Sequence, residues 1–219
     1  MTEDQNYLTI KTTGQAELDI RKSEFICTIG RINNEEEAKA FIDKVRTKNR
    51  KATHNCFAYV LGMNDEIQRE SDDGEPSGTA GVPILRVLQN LELRNVCAVV
   101  TRYFGGIKLG AGGLIRAYSN TTSQAIEKTG VVQRVVQQQL FLTIAYPLLG
   151  KLKNHLEQKQ LPIINTQFTD KVKVEIAVDK KELDQIKEDL INFLNAQVEI
   201  EKGSQIYAEL PYQLYQDEK

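Results

Sequence analysis

No apolar run in this chain of 219 residues approaches the ~20 residues that span a bilayer, so neither a transmembrane helix nor a membrane partner is expected. The first residues, MTEDQN, are acidic and lack the apolar core of a signal peptide, which makes the cytoplasm the expected location. Cysteine is scarce: Cys27, Cys56 and Cys97 are odd in number, far apart and set in apolar surroundings. That pattern argues against a disulfide framework or a zinc site and reads as buried thiols. Histidine occurs only at positions 54 and 155, so an acid–base scheme has few members to draw on. Strong charge of either sign is also missing. The net charge is −2, with 17 basic and 17 acidic residues up to Gly130 and 11 basic and 13 acidic after it. Any nucleic-acid footprint is therefore a local patch rather than a global field.

One absence is local. Residues 93–126 contain no Asp or Glu, while Arg94, Arg102, Lys108 and Arg116 are cationic. Within this stretch Gly105, Gly106, Gly110, Gly112 and Gly113 fall inside nine positions. Glycine loses the most conformational entropy on folding, so such a cluster is expected where the backbone takes positive φ or lies against another surface. Backbone amides at a helix start with arginines beside them make an anion site. The familiar nucleotide patterns nevertheless fail. Gly105 and Gly110 have P-loop spacing, but Ala111 and Gly112 stand where Lys and Ser/Thr are needed. Gly110 and Gly112 begin a dinucleotide fingerprint, but Ile115 replaces its third glycine. A tight turn serving helix-on-sheet contact is the alternative use of the same glycines.

Periodicity predicts early strands near residues 7–11, 16–20 and 25–32. A helix then starts at Asn34, with Glu37 three residues on as in a capping box and an apolar stripe of Ala38, Phe41, Ile42 and Val45. Residues 56–61 read as a strand, followed by a polar acidic segment. Gly81 and Pro83 open a helix with Ile84, Leu85, Leu88 and Leu91 on one face. Residues 96–100 form a continuous apolar strand of the kind covered on both faces. The helix after the glycine loop carries Ile115, Tyr118, Thr122 and Ala125 and ends at Gly130. The pattern changes over residues 131–139, the expected boundary between domains at 1–132 and 135–219. Beyond it, a strand at 140–144, a helix with Leu148, Leu149, Leu152 and Leu156, strands at 163–168 and 172–178, a helix with Leu183, Ile186, Leu190 and Leu194, and a strand region at 198–210 follow the order β-α-β-β-α-β. That is the ferredoxin-like order. The predicted class is α+β with two domains.

Three constellations bear on chemistry. Residues 70–81, ESDDGEPSGTAG, carry Glu70, Asp72, Asp73 and Glu75 with Ser77. Such density suits a hard cation, yet the spacing matches neither an EF-hand nor another known ligand set, and Asp, Gly, Pro and Ser all favour a solvated turn that pairs with the basic loop. His54 is the first domain's one histidine and could act with Asp72, Asp73 or Cys56, the last on the same strand face. No Ser, Cys or Lys nucleophile sits in a catalytic motif, so no catalytic residue is assigned. His155, on a Leu-rich helix, reads as packing or surface. Arg102, Tyr103, Phe104, Lys108, Arg116 and Tyr118 interleave cations with aromatics, as phosphate-tracking, base-stacking surfaces do.

The segments ESDDGEPSGTAGVPIL and VVTRYFGGIKLGAGGLIRAYS closely resemble the two signatures of the YigZ/Impact family. Asp72, Asp73, Glu75 and Ser77 fall in the first, and Arg102, Lys108, Arg116 and most of the glycines in the second. The resemblance implies an N-terminal Impact domain with a fold seen in ribosomal proteins and elongation factors, followed by a ferredoxin-like domain similar to those of elongation factor G. It also implies a link to translation: eukaryotic relatives regulate it by binding the activator of an initiation-factor kinase, while carrying a different extra domain. It supplies no catalytic assignment and no cofactor or metal.

The resulting expectation is a non-catalytic, cytoplasmic protein that binds RNA or a ribosome-associated partner and modulates translation, with oligomeric state open. The alternative is a phosphate-handling enzyme in which the glycine loop holds an anion and Asp72, Asp73 or His54 serves a metal or a proton.

Overall fold

The structure, a computed structural model, describes residues 6–214. The elements are β1 (Tyr7–Ile10), β2 (Gly14–Ile20), β3 (Ser23–Arg31), α1 (Glu35–Lys48), β4 (His54–Leu61), β5 (Ile67–Ser71), α2 (Gly81–Asn90), β6 (Val96–Tyr103), α3 (Ala111–Thr129), β7 (Val131–Ile144), α4 (Leu149–Gln158), β8 (Ile163–Phe168), β9 (Val172–Asp179), α5 (Leu183–Phe193) and β10 (Glu199–Tyr212). They fall into two compact units, residues 7–134 with 210–214, and 135–209 with Asn6. The sequence pattern assigns 210–214 to the second unit; the structure groups them with the first, where Leu214 packs against the core.

In the first unit an antiparallel sheet runs β2-β3-β6-β4-β5. Strand alternation sends Phe25, Cys27, Cys56, Ala58, Ala98 and Val100 to one face, against Ile84 and Leu88 of α2 and Leu114, Ala117 and Tyr118 of α3. Tyr59, Leu61, Cys97 and Val99 go to the other face, against Ala38, Ile42 and Val45 of α1. This is why β6 reads as an unbroken apolar run: helices cover both faces although the sheet is antiparallel. The Asn34 side chain accepts from the Glu37 amide at 2.8 Å, while the Glu37 carboxylate reaches back to the Asn33 amide at 2.9 Å, one residue earlier than the ordinary capping box. The segment before the acidic turn holds β5, which its polar, acidic composition hides; as an edge strand it has only one covered neighbour to impose a pattern.

The second unit has the ferredoxin-like sheet order β8-β9-β7-β10. Leu140, Leu142, Val172, Val174, Ile176 and Val178 pack against Leu152 and Leu156 of α4 and Leu183 and Leu190 of α5. Residues 131–139, read from sequence as a change of style between domains, are instead the first part of β7. Residues 131–134 pair with β1 and 137–144 with β9. The two Val-Val doublets and the run of three glutamines at 137–139 break strict alternation, which is what obscured the strand. Among the described residues no helix is long and apolar enough to cross a membrane.

Candidate functional site

The register of β6 against its neighbours puts His54 of β4 and Phe25 of β3 opposite Arg102. Arg102 is only 4% exposed, with its guanidinium carbon 5.2 Å from the ring centroids of both Phe25 and Phe104. A charge so placed needs a partner. Nη1 donates to Oε1 of Glu75 at 2.7 Å and Nη2 to Oγ of Ser23 at 3.3 Å. The Tyr118 hydroxyl donates to the same Oε1 at 2.8 Å, and the Cys56 thiol lies 3.4 Å from that hydroxyl and 2.9 Å from the Asp72 carbonyl. Burial pushes the Cys56 thiol up to about 12, against the opposing Tyr118 hydrogen bond, and burial likewise drives Tyr118 far above its ordinary value. Both therefore stay protonated at neutral pH, and Cys56 is a packed thiol rather than a nucleophile. Cys27 and Cys97 are buried free thiols too.

Three carboxylates of the acidic segment, those of Asp72, Asp73 and Glu75, are engaged by the fold, while Glu70 is exposed. Asp72 accepts from the amides of Gly78 at 2.7 Å and of Ala80 and Gly81 at 2.9 Å, capping α2, whose N-cap residue Ala80 has no side chain able to do so. Burial alone would raise the Asp72 pKa, but these three amides outweigh it and hold the carboxyl below its ordinary value. Asp73 accepts from the Asn55 amide at 2.6 Å and pairs with Arg46 at 3.1 Å. Nδ1 of His54 donates to the Asp73 carbonyl at 2.8 Å, and Nε2 lies 3.9 Å from Oε2 of Glu75. Ser77 is exposed. Among the described residues no group of three or more His, Cys, Asp or Glu is disposed to hold a metal ion.

The glycine loop is shaped by a close approach. A Cβ on Gly105 would lie 1.7 Å from the Lys22 carbonyl oxygen, so the loop meets the tip of the β2–β3 hairpin at a point only glycine allows. That tip is Arg21–Lys22, joining Ile20 to its partner Ser23 with φ values of 47° and 67°. Asn-Gly suits such a turn, and side-chain-bearing residues in the left-handed region cost roughly 1–2 kcal/mol each. Sequence reasoning passed over this exposed cationic pair; its signal was a basic dipeptide between two strands two residues apart.

The two signatures meet at a cleft of about 380 Å³ lined by His54, Glu75, Arg102, Phe104, Lys108 and Gly110, with Leu109 and Leu114 supplying apolar wall. At its edge α3 begins at Gly110 with no side-chain cap and no acidic residue in its first turn. A second depression of about 250 Å³ holds Arg21, Leu109, Gly113 and Arg116, so Leu109 borders both. Of the residues singled out from sequence, His54, Glu75, Arg102, Lys108 and Gly110 come together in the first cleft and Arg116 with Gly113 lines the second. Asp72 and Asp73 line neither. Gly106 and Gly110 take positive φ, 85° and 70°. In the second unit His155 stacks on Phe193 with centroids 3.7 Å apart and bonds Asp189 at 2.6 Å, a packing role.

Residues 21–126 match the Impact N-terminal domain, and residues 142–197 match a domain of unknown function, DUF1949. The IMPACT family member YvyE of Bacillus subtilis is 45% identical over 204 residues, 93% of this chain and 94% of that protein. The IMPACT family member YigZ of Escherichia coli is 34% identical over 83% of this chain and 90% of its own length. A crystal structure of a hypothetical protein superposes with a TM-score of 0.59 at 31% identity, covering 90% of this chain and 97% of that one. Matched by both domains in order and by relatives along most of its length, this chain belongs to the IMPACT family.

Proposed function

We propose that this protein is a non-catalytic, translation-associated regulator that binds RNA, free or ribosome-borne, through the cationic surface around the glycine loop. The translation link comes from the family. The observation that carries the RNA reading is one of placement: exposed Arg21, Lys22, Lys108 and Arg116 surround the loop, while the carboxylates of Asp72, Asp73 and Glu75 are engaged by the fold. Phe104, 45% exposed, adds a ring on which a base can stack. Glu17, Asp19 and Glu24 lie on the same hairpin, Asp19 facing Glu24 one pair before the Ile20–Ser23 pair that closes the tip, and burial first and then Glu17 and Asp19 raise the pKa of Glu24.

A second reading, a phosphate-handling enzyme, is favoured by His54 standing beside Glu75 in the cleft. Its candidate carboxylates Asp72 and Asp73, like Glu75, are already engaged in the fold. The test is RNA affinity of the full chain against salt. Binding should fall with a log–log slope of about −0.7 per single-strand phosphate neutralised, and Lys108→Gln with Arg116→Gln should flatten it by about one to two units. A folded double variant with unchanged affinity and slope would reject this surface.

A further inference from the structure

We infer that the free edge of β8 docks β8 of a second copy of this chain, the two strands joining antiparallel across a two-fold axis centred on Thr166. The inference concerns the second unit alone and does not rest on the RNA reading.

β8 stands last in the order β8-β9-β7-β10 and pairs with β9 on one side only. At its end the Thr169 amide bonds the Lys171 carbonyl at 2.9 Å, toward β9, so strand alternation turns the N–H and C=O of Phe168 and Thr166 to the free side. Such a row is a template for another strand, and folds ordinarily blunt it with charge, proline or cover. Among the described residues the other edges are blunted in this way. β2 carries Glu17 and Asp19, β5 carries Arg69 and Glu70, β10 carries Glu199, Glu201, Lys202 and Pro211, and β1 is bridged to Leu93 besides β7. β8, with the sequence IINTQF, has no charge, proline or glycine. Its one irregularity, a register shift between Ile163 and Asn165, leaves 165–168 in step with β9. Phe168 is the most exposed large apolar side chain described, at 59%, with Ile164 at 49%. Tyr146 stacks on the Phe168 ring with centroids 6.3 Å apart, and its hydroxyl donates to the Thr169 carbonyl at 2.6 Å, which extends the apolar patch beside the edge.

The edge is complementary to itself. With the axis on Thr166, Asn165 opposes Gln167 of the second copy and Ile164 opposes its Phe168, so amide meets amide and the two exposed apolar side chains meet each other. The Thr166 amide donates to Oδ1 of Asn165 in its own strand at 2.8 Å, a local bond that a ladder bond to the second copy replaces without stranding a donor. Alongside β8 runs a groove of about 630 Å³, walled by Leu156, Leu161, Ile163 and Thr166 and rimmed by Lys153 and Glu157, which are exposed and one turn apart on α4. A two-fold axis runs the second α4 in the opposite direction, so Lys153 of each copy lies toward Glu157 of the other. A neutral strand with a charge-balanced rim thus matches a copy of itself and brings no like charges together.

Sedimentation equilibrium of the full chain over about 1–100 μM, the weak end of the affinities that interfaces span, should show the mass rising from monomer to dimer and no further. A monomer at every concentration would overturn the inference and leave the edge to an extended segment of another protein. Thr166→Lys sets like charges directly opposite at the axis and should hold the protein monomeric with an unchanged melting temperature. A dimer that survives this substitution uses another surface and overturns the pairing. Introduced cysteines test the register, since the native Cys27, Cys56 and Cys97 are buried. Residues opposed in a hydrogen-bonded pair have Cα atoms about 5.5 Å apart, inside the range a disulfide spans, whereas equivalent residues one step off the axis exceed it. Mild oxidation should therefore link Thr166→Cys into a covalent dimer and leave Gln167→Cys and the α5 control Glu188→Cys unlinked. Cross-linking at Thr166→Cys no greater than at either of the others would overturn the inference, whether or not Thr166→Lys folds.

Discussion

The acidic turn and the glycine loop look alike in the sequence, each a short, polar, glycine-bearing segment between regular elements, and the fold uses them in opposite ways. The turn faces inward. Asp72 closes the start of α2, Asp73 binds β4 and α1 through the Asn55 amide and Arg46, and Glu75 neutralises Arg102 at the end of β6. The loop faces outward, with Phe104, Lys108 and the start of α3 exposed. The difference teaches that a dense set of carboxylates can be scaffolding: each anion satisfies a donor that would otherwise be stranded, and the last holds the strand from which the loop departs. A buried ion pair of this kind is weak evidence for net stability, but breaking one side of it is costly.

That contrast can be broken or sharpened by substitution. The largest effect should come from Glu75→Gln, which leaves the Arg102 charge buried without its anion; urea unfolding should register a loss of about 3–5 kcal/mol. A loss below about 1 kcal/mol, the range of exposed pairs, would move the turn to the surface class. Next comes Gly105→Ala, whose methyl must displace the Lys22 backbone; overpacking of this kind costs about 1–3 kcal/mol. Because the displaced residue belongs to the cationic hairpin tip, RNA affinity should fall with stability in this variant.

Asp72→Asn keeps an acceptor for the Ala80 and Gly81 amides but sets an NH2 against the Gly78 amide, so it should cost about 0.5–1.5 kcal/mol at neutral pH, the worth of one hydrogen bond. Its pH dependence has a definite sign. Folding lowers the Asp72 pKa, so its contribution is fully present above the unfolded value of about 3.9 and disappears as pH falls through the lower folded value. The gap between wild type and Asp72→Asn should therefore close across that acidic window, and a gap that stays constant down to about pH 2 would contradict the cap. The smallest stability effect belongs to Lys108→Gln with Arg116→Gln, within about 0.5 kcal/mol, as for surface substitutions away from special features. In that pair RNA affinity and its salt slope should fall together while stability stays put.

Periodicity and caps are properties of neighbours in the chain, so the sequence by itself determined the Asn34 helix start, the helices on either side of the glycine loop, the β-α-β-β-α-β order after it and the two signatures that mark the family. Strands under weak local constraint escaped it: β5, at a sheet edge, and the first part of β7, where valine doublets and a run of three glutamines blur alternation. Partner choice escaped it as well. From sequence, the acidic turn as a whole pairs with the basic loop, and Arg102, Lys108 and Arg116 fall on one cationic surface. Only the tertiary structure decided that Asp72 goes to the amides of α2, Asp73 to Arg46 and the Asn55 amide, and Glu75 to Arg102, 27 residues away. It alone also set Arg21 and Lys22 beside Gly105 and divided Lys108 from Arg116 into adjoining depressions. The physical reason is that strand register and helix packing, not spacing along the chain, fix which donor reaches which acceptor, and a buried charge accepts only the partner those elements bring within hydrogen-bond distance.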